Sequence, residues 1–413
     1  MHEGSRKNAS DFIMIAILSL ILLNVITAQS LPNTINTAYG EEYGPVLTID
    51  DNTLYFVGLN RLETNRSEDI FVSHRDKKTG EWSGALMVPG LNNPSRNEAP
   101  TSISGDGRTM LLFVDGRMCY SVKTAQKWSE PRPLPSYLQL GNWQADAMIT
   151  ADGKALLFAA NYAVPGEEKP SLNIFVSERD EQGRWGKPYS IGDAINTIGM
   201  ERSPFLHPDM KTLYFSSDRE GTIGDLDVWV SRRLSDSCWN CWSEPENLGP
   251  ESNTVGRDCW YKISTDGKLA YYAQKVGHKQ DIYCVKLPED KRPESITVLK
   301  TNEAVAINHL LFETSSDVIK QSSLPELKRI AEFVRTYGYK VHLDGHTDNI
   351  GNTEDNMQLS RNRAESVRRQ LIEFGCNPQD ISVCGYGDTK PLAPNDSEDG
   401  RQLNRRVEIT LIP

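Results

Sequence analysis

Hydrophobic and polar residues alternate in short runs along the first two thirds of the chain, as they do in half-buried β-strands. Five of these runs follow an Asp-Gly, Asp-Asn or similar pair, and such pairs form tight hairpins because they tolerate positive φ. The five runs are TIDDNTLYF, SGDGRTMLLF, TADGKALLF, HPDMKTLYF and STDGKLAYY. They end at residues 56, 113, 158, 215 and 272, at intervals of 57, 45, 57 and 57 residues. This spacing predicts a repeated antiparallel sheet.

A second strand-like run follows each of the first five. The second runs are residues 69–75, 118–123, 173–179, 227–233 and 281–287. In four units a tryptophan then lies in a turn: Trp82, Trp128, Trp185 and Trp242. Each unit therefore predicts a small sheet of about four strands. Units of this size that repeat along a chain are typical of a β-propeller, in which radial packing protects the sheet edges.

Five units predict a propeller with five blades, and six blades stay open if one further unit lacks the pattern. The tripeptide Ile-Asn-Thr at residues 35–37 recurs at residues 195–197, which suggests that the first strands help to close the ring. The segment SPFLHPDMKTLYFSSDREGTIGDLDVWVSRR resembles the WD-like repeats of the TolB type, which occur in exported bacterial propellers. This resemblance covers residues 31–297, which are predicted to form the propeller domain.

The pattern changes after a stretch rich in proline and charge at residues 287–295. Apolar residues at helical spacing then predict a helix that begins after Ser323, with a capping box to Glu326, and ends at Gly338. A second helix is predicted over residues 356–374.

Alternating residues predict strands in KVHLDGH and RRVEITLI, and INHLLFE is predicted to form an earlier strand. Strands and helices then follow in the order βαβαβ, which is typical of an α/β sandwich. The predicted fold is therefore multi-domain. An all-β propeller is joined by a linker at residues 298–303 to an α/β domain at residues 304–413.

Length and composition fit this two-domain interpretation. The chain has 413 residues, more than a single hydrophobic core usually supports. Its net charge of -11 and the lack of a Lys/Arg stripe argue against nucleic acid as a partner. Arg6 and Lys7 precede an uncharged apolar run at residues 12–26, and the small residue Ala28 follows. This layout predicts a signal peptide at residues 1–28, with an uncleaved anchor as the alternative.

Seven cysteines fit an oxidising compartment, and their odd number leaves at least one unpaired. Cys238 and Cys241 stand in CWNCW, where a local disulfide is favoured over a redox pair or half a zinc site, because no second pair with ligand spacing follows. Two further disulfides and one free thiol are predicted: Cys259 with Cys284, Cys376 with Cys384, and Cys119 alone. No metal site and no cofactor are predicted.

Five motifs occur in order near the C-terminus: LFETSSDVI, GHTDNIG, NMQLSRNRAESVRRQL, GYGDTKPLAPN and GRQLNRRVEI. Together they resemble the OmpA-like C-terminal domain that outer-membrane, lipoprotein and flagellar-stator proteins use to hold the cell wall. The resemblance covers nearly all of residues 304–413. It implies non-covalent binding of peptidoglycan through the diaminopimelate of the stem peptide. The family's binding aspartate and arginine fall on Asp348 and Arg363.

Arg363 also stands out in the helical pattern, because it interrupts an apolar row formed by Leu359, Val367 and Leu371. A buried charge is costly unless it is paired, so this arginine needs a partner or a route to solvent. Diaminopimelate carries an ammonium and a carboxylate on one carbon. Asp348 can accept from the ammonium, and the planar guanidinium fork of Arg363 matches the carboxylate. The structural alternative is a snorkelling arginine whose stem covers the core.

Five neighbours are weaker candidates for the same pocket. Thr347, Asn356 and Leu359 are predicted to line it, although Asn356 is alternatively a helix N-cap and Leu359 a core residue. Asn404 and Arg405, in LNRRVE, match the family and either support the site or stabilise the fold through ion pairs.

No HExxH, GxSxG or GxxxxGK motif occurs, so no linear signature of catalysis is present. The sequence is interpreted as a non-catalytic protein of the Gram-negative periplasm that is held to peptidoglycan at the outer membrane. Its propeller would present a surface to another envelope protein, as in accessory parts of secretion or gliding machines. The alternative is a propeller hydrolase that acts on envelope glycan or peptide and is tethered by the C-terminal domain.

Overall fold

The structure is a computed structural model that describes residues 28–61, 67–124, 127–162, 171–287, 289–313 and 316–413. The predicted signal peptide lies outside these ranges except for its last residue. Within them, five antiparallel sheets precede residue 288 and one mixed sheet follows it. No helix in the described ranges is long and apolar enough to cross a membrane.

Each of the five N-terminal sheets combines three longer strands with short outer strands. The first strand in the described residues, β1, is Gln29–Ser30. Sheet 1 contains β2 (Glu41–Leu47), β3 (Thr53–Leu59), β4 (Glu68–His74) and β5 (Leu86–Met87). Sheet 2 contains β6 (Glu98–Ile103), β7 (Thr109–Val114), β8 (Arg117–Thr124), β9 (Lys127–Trp128) and β10 (Arg132–Pro133). Sheet 3 contains β11 (Gln144–Ile149), β12 (Ala155–Asn161), β13 (Leu172–Glu178) and β14 (Tyr189–Ser190). Sheet 4 contains β15 (Glu201–Leu206), β16 (Thr212–Ser217), β17 (Asp227–Arg232) and β18 (Glu246–Asn247). Sheet 5 contains β19 (Asp258–Ile263), β20 (Leu269–Val276) and β21 (Lys279–Lys286), and β1 joins it.

The first long strand of each sheet contacts its counterpart in the next sheet. β2 contacts β6, β6 contacts β11, β11 contacts β15, and β15 contacts β19. The series returns to its start because β19 contacts β2. β1 pairs with β21, so the first described strand of the chain is the outer strand of the last sheet.

Among the described residues, five hydrophobic cores lie between successive N-terminal sheets. Four of them join sheets 1 and 2, sheets 2 and 3, sheets 3 and 4, and sheets 4 and 5. The fifth joins sheet 5 to sheet 1 and contains Phe56, Trp82, Tyr271 and Ile282. The middle strands are therefore covered on both faces, and β12 reads as an almost unbroken apolar run.

Asparagine side chains connect neighbouring sheets in a repeated way. The side chain of Asn196 accepts from the Ile174 N–H at 2.8 Å and donates to the Ile174 carbonyl at 2.9 Å. Asn36 makes the same two bonds with Ile282 of β21, at 3.0 and 2.8 Å. An amide suits this role because it carries both a donor and an acceptor. The repeated Ile-Asn-Thr thus corresponds to equivalent contacts, one of which joins the start of sheet 1 to sheet 5.

The first long strand of each sheet also has, at its first or second residue, a buried polar side chain that accepts a backbone N–H from the preceding loop. The five residues are Glu42, Glu98, Gln144, Glu201 and Asp258. Burial is the main cause that raises the pKa of Asp258 to about 6, and the bonds from Thr254 oppose it. These side chains fold each loop back onto the strand that follows it.

The C-terminal domain is a four-stranded sheet with helices. Its strands are β22 (Val305–Ala306), β23 (Lys340–Gly345), β24 (Ile381–Gly385) and β25 (Val407–Ile412). Its helices are α1 (Leu324–Tyr337), α2 (Thr353–Glu373) and α3 (Glu398–Asn404). The strand order is β22-β25-β23-β24, and β23 and β24 are parallel while the other pairs are antiparallel. Short 3-10 turns occupy Ser136–Leu138, Glu289–Lys291, Gln321–Ser323 and Pro378–Asp380.

The predicted βαβαβ order is incomplete, because β24 and α3 were not foreseen. Only the first residue of β24, Ile381, is buried, so the strand has little apolar signal. The buried residues of α3 are Gly400 and Asn404, neither of which is apolar and large. The strand predicted at residues 307–313 is also displaced, since β22 ends at residue 306.

The predicted capping box of α1 is wrong. Ser323 stands at the N-cap position, but its hydroxyl accepts from the Leu311 N–H and donates to the His309 carbonyl. Glu326 accepts from the Thr297 N–H at 2.7 Å instead of capping the helix. Tertiary contacts with the preceding segment thus replace the local cap. The predicted end is correct, because Gly338 adopts a left-handed conformation with φ of 70°.

The cysteines pair once in the described residues. Cys238 and Cys241 form a disulfide. The predicted bond between Cys259 and Cys284 is wrong, because both thiols are free. β20 lies between their strands, so the two strands are about 9.5 Å apart, whereas the Cα atoms of a disulfide lie less than ~7 Å apart.

The predicted bond between Cys376 and Cys384 is also wrong, since both thiols are free. Cys376 is buried beneath α1, with Sγ 3.7 Å from the Ala331 carbonyl oxygen. Cys384 lies in β24 beside Asp344 of β23. Cys119 is a buried free thiol.

Helix α1 rests on hairpin turns of sheets 2 and 3. The Tyr337 hydroxyl donates to the Ala151 carbonyl at 3.2 Å, and Lys154 Nζ lies 3.4 Å from Glu332 Oε1. The contact is close, because a Cβ at Gly105 would lie 3.0 Å from the ring of Phe333 on α1. The two parts of the chain therefore share an interface of apolar, hydrogen-bonded and charged contacts.

Candidate binding cleft

An open cleft lies on the C-terminal domain between the loop after β23, the buried side of α2, the segment before α1, and α3. Its empty volume is about 1250 Å³. Six of the seven predicted site residues line it: Thr347, Asp348, Asn356, Leu359, Arg363 and Arg405. We call this space the C-terminal cleft.

Asp348 lies in the loop that follows β23 and is 8% exposed. Its Oδ1 accepts from the Ile350 N–H at 3.1 Å, and its Oδ2 accepts from Arg405 Nη1 at 2.6 Å. The first bond tightens the loop, and the second joins the loop to the end of α3. Asp348 therefore presents a fixed carboxylate to the cleft.

Arg363 is buried in the middle of α2, at 6% exposure. Its Nε donates to the Ser316 carbonyl at 3.0 Å, and its guanidinium carbon lies 5.1 Å from the centre of the Phe312 ring. Burial is the main cause that lowers the pKa of Arg363, and nearby Asp348 opposes this shift while Arg405 adds to it. A carbonyl and an aromatic face thus compensate the charge in part.

Asp348 and Arg363 do not form an ion pair with each other. Asp348 pairs with Arg405, and the described part of the chain places no carboxylate within 4 Å of Arg363. Asp348, Arg363 and Arg405 therefore contribute two guanidinium groups and one carboxylate to the cleft. Further charged residues in its lining are Arg401, Lys320, Glu313 and Glu398. Such a set can accept from an ammonium and donate to a carboxylate at the same time.

Asn356 is not the N-cap of α2, as the alternative interpretation had it. The helix begins three residues earlier, and Asn352 caps it by accepting from the Asp355 N–H at 2.8 Å. Asn356 is buried in the first turn, where its side chain donates to the Asp348 carbonyl at 3.3 Å. It therefore holds the aspartate loop against the helix.

Thr347 and Leu359 form parts of the cleft wall. The Thr347 N–H donates to the Gly387 carbonyl at 2.9 Å. Its buried hydroxyl has no hydrogen-bond partner among the described residues, so it is free to bond a guest in the cleft. Leu359 is half-buried and supplies apolar surface.

Asn404 lies outside the cleft and is fully buried. Its Oδ1 accepts from the N–H groups of Leu392 and Ala393, and its Nδ2 donates to the Ala393 carbonyl at 2.8 Å. These bonds hold the loop before α3, and thereby set the position of the neighbouring Arg405.

Sequence reasoning missed the contribution of α3. Glu398, the first residue of that helix, accepts from Arg405 Nη2 at 2.6 Å and also bonds Arg401. Lys320 and Glu313 also line the cleft. The sequence does contain a signal for the start of α3: the N-cap residue Ser397 is followed by the acidic residues Glu398 and Asp399.

The protein therefore has two parts. One is a β-rich N-terminal region, and the other is an α/β domain that contains the charged cleft. Residues 311–405 match the OmpA family, so the C-terminal part is an OmpA-family domain.

The curated relatives resemble part of this chain. "Outer membrane porin F" of Pseudomonas fluorescens is 39% identical over 101 residues, which are 24% of this chain and 31% of the porin. "Motility protein B" of Helicobacter pylori is 38% identical over 109 residues, which are 25% of this chain and 42% of that protein. "Peptidoglycan-associated lipoprotein" of Pseudomonas aeruginosa is 36% identical over 104 residues, which are 25% of this chain and 62% of that protein. The chain thus spans less than two thirds of each relative.

Solved structures with similarity also cover a limited part of the chain. The C-terminal domain of Helicobacter pylori MotB is 35% identical, with a TM-score of 0.24, and the match covers 25% of this chain and 81% of that one. The cell wall anchor of the T6SS from Pseudomonas aeruginosa is 35% identical, with a TM-score of 0.24, and the match covers 26% of this chain and 79% of that one.

Proposed function

We propose that this chain is a non-catalytic cell-envelope protein that binds peptidoglycan non-covalently through the C-terminal cleft. The observation that carries the proposal is the group of two guanidinium ions and one carboxylate inside an OmpA-family domain. One relative bears the name peptidoglycan-associated lipoprotein. The ligand is the diaminopimelate of the stem peptide, whose free end carries an ammonium and a carboxylate on one carbon.

In this proposal Asp348 accepts from the ligand ammonium, and Arg363 donates in parallel to the ligand carboxylate. Arg405 has a positioning role, because it already holds Asp348 at 2.6 Å. The free hydroxyl of Thr347 adds a donor or acceptor, and Leu359 contacts the aliphatic part of the stem. The cleft suits a zwitterion better than a simple cation, since positive charge exceeds negative charge at its centre.

We further propose that the five N-terminal sheets form a five-bladed propeller over residues 31–297. Three features support it: the contact of β19 with β2, the pairing of β1 with β21, and the core between sheets 5 and 1. The propeller would serve as a rigid scaffold for another envelope or outer-membrane protein, as an accessory part of a secretion or gliding machine. Residues 298–303 would link it to the OmpA-like domain at residues 304–413.

The proposed location is the periplasm of a Gram-negative cell, at the outer membrane and bound to peptidoglycan. A signal peptide at residues 1–28 would direct export and then be cleaved. The disulfide between Cys238 and Cys241 supports an oxidising compartment.

Co-sedimentation with isolated sacculi tests the cleft assignment. Asp348→Ala and Arg363→Ala should each weaken pelleting by roughly tenfold or more, because a lost charge-assisted bond costs about 1.5–3 kcal/mol. Arg363→Lys should also bind weakly, since an ammonium cannot reproduce the two parallel bonds.

Arg361→Ala is the matched control, because this arginine lies on the exposed side of the same helix. Undiminished pelleting of both alanine variants, with thermal unfolding unchanged, would contradict the assignment.

Crosslinking in intact cells tests the scaffold role of the N-terminal region. We expect a specific envelope protein to be captured from photoreactive residues on the sheets, and the same capture should persist in Arg363→Ala. If no protein is captured while the purified chain releases soluble fragments from envelope material, the alternative of a tethered hydrolase is correct.

A further inference from the structure

A central cavity lies where the five N-terminal sheets meet. All five first long strands, or the turns that follow them, contribute to its wall. In each of these strands, the pairing with the next strand shifts register once. The first paired residue after the shift lines the cavity in every sheet. These residues are Val46, Ser102, Met148, Phe205 and Lys262. Lys262 is the only charged residue at this position.

Lys262 is 6% exposed and has no ionic or hydrogen-bond partner for its ammonium among the described residues. Its Nζ lies 5.1 Å from the centre of the Phe205 ring, which is a cation–π contact. Burial lowers the pKa of Lys262 to about 8, and Asp146 opposes this shift. The ammonium nitrogen keeps some surface that is accessible from the cavity, but the side chain is largely removed from water. An ammonium in this position without a partner is costly, so it calls for a compensating anion.

Two acidic groups in or beside the cavity, Asp146 and Asp51, are occupied by other contacts. Asp146 accepts from Arg202 at 2.9 Å and from the Trp260 indole at 2.9 Å. Asp51, which lines the cavity, accepts from the Thr265 N–H through both of its oxygens. Neither carboxylate forms an ion pair with Lys262.

A second polar group in the same wall also lacks a partner. The hydroxyl of Thr101 is buried and has no hydrogen bond among the described residues. The rest of the wall is mainly aliphatic and includes Val46, Ile149, Leu206 and Ile263. A positive donor, a neutral donor and apolar walls together match an anionic head with a short apolar tail.

We propose that the central cavity is a binding site for a small organic monocarboxylate, held by Lys262 and Thr101. The Lys262 ammonium pairs with the carboxylate, the Thr101 hydroxyl donates to it, and the aliphatic side chains contact the tail. A single positive charge favours a monoanion, because a second negative charge would be buried unpaired. This site is independent of the C-terminal cleft and of any role in cell-wall binding.

Isothermal titration calorimetry of the full chain with butyrate tests the proposal. We expect saturable binding of one butyrate, and at least tenfold weaker binding of 1-butanol and of inorganic phosphate. Lys262→Met should bind butyrate at least tenfold more weakly, and Thr101→Val should show a smaller loss. Lys268→Met is the matched control, because Lys268 precedes β20 in the same sheet and its side chain is 60% exposed.

Three outcomes would overturn the proposal. The first is the absence of saturable butyrate heat in the wild type. The second is equal binding of butyrate by the wild type and by Lys262→Met, with thermal unfolding showing that the variant is folded. The third is that 1-butanol or phosphate binds the wild type as tightly as butyrate does, and this comparison stands even if Lys262→Met does not fold.

Discussion

The roles of several single residues in this chain depend on contacts with residues that are distant in sequence. Arg363 follows the apolar row of α2, yet it bonds the Ser316 carbonyl and stacks on Phe312. Asp348, the expected counterpart of Arg363, pairs with Arg405 of the segment after α3. The chemical types in the cleft were predictable from the sequence motifs, whereas the pairing between them was not, because it depends on a short helix with little apolar signal.

Asp51 should make the stability of the folded protein depend on pH. Burial is the main cause that raises its pKa to about 7, with help from Asp266 and Asp50 and against the bonds from the Thr265 N–H. Because the folded pKa lies above the unfolded value of 3.8, this group favours folding most below pH 3.8 and loses that contribution as the pH rises through 7. Asp51→Asn keeps an acceptor for Thr265 and carries no charge.

We therefore expect Asp51→Asn to be more stable than the wild type at pH 8, and the advantage to shrink by pH 5. Denaturant unfolding midpoints at the two pH values measure the difference. Asn142→Asp, at an exposed position in the loop before β11, should show no such pH-dependent change. A larger advantage at pH 5 than at pH 8 would contradict the expected sign.

At the scale of elements, each sheet is held to its neighbour by an apolar core and by polar side chains in its connecting loop. The hairpin repeats predicted the long strands well, because Asp-Gly turns and aromatic runs are strong local signals. The short outer strands are two residues long in each of the five sheets, and β1, at the start of the described chain, pairs with β21 of the last of these sheets. Such pairings have weak local signals, so the sequence indicated the contact between sheets 1 and 5 only through the repeated Ile-Asn-Thr.

The asparagine contacts give a prediction for the joining of sheets 1 and 5. Asn36→Ala should lower the free energy of unfolding by about 2–4 kcal/mol, because it leaves the buried N–H and carbonyl of Ile282 unpaired. Asn196→Ala should cost a similar amount, since Asn196 makes the same two bonds with Ile174. Chemical denaturation measures both changes. Asn142→Ala, at an exposed position, should change stability by less than ~0.5 kcal/mol, and equal costs in all three variants would refute the role of the asparagine bonds.

At the scale of the whole molecule, α1 packs against the hairpin turns of sheets 2 and 3. The contact joins an apolar part, formed by Phe333 near Gly105, to the hydrogen bond between Tyr337 and Ala151. The C-terminal cleft involves other elements, namely the loop after β23, α2 and α3. A change at the interface should therefore alter the coupling between the two parts without altering the cleft.

Tyr337→Ala tests this separation. We expect its thermal unfolding, followed by scanning calorimetry, to resolve into two transitions that lie farther apart than in the wild type, because the shared contact is lost. Sacculus pelleting should stay within about twofold of the wild type. Tyr39→Ala is the control, since Tyr39 is 87% exposed in the N-terminal region. Loss of pelleting in Tyr337→Ala would show that the interface and the cleft are not separable.

The sequence by itself determined the β repeats, the change to an α/β domain and the residue types of the OmpA motifs, because turn pairs, hydrophobic periodicity and motif order are local properties. The tertiary structure decided the rest. It paired Asp348 with Arg405, left four predicted disulfide cysteines as free thiols, added β24 and α3, and placed Lys262 in a cavity shared by five sheets. Each of these features depends on which distant segments meet, and hydrophobic packing between sheets and helices sets those contacts.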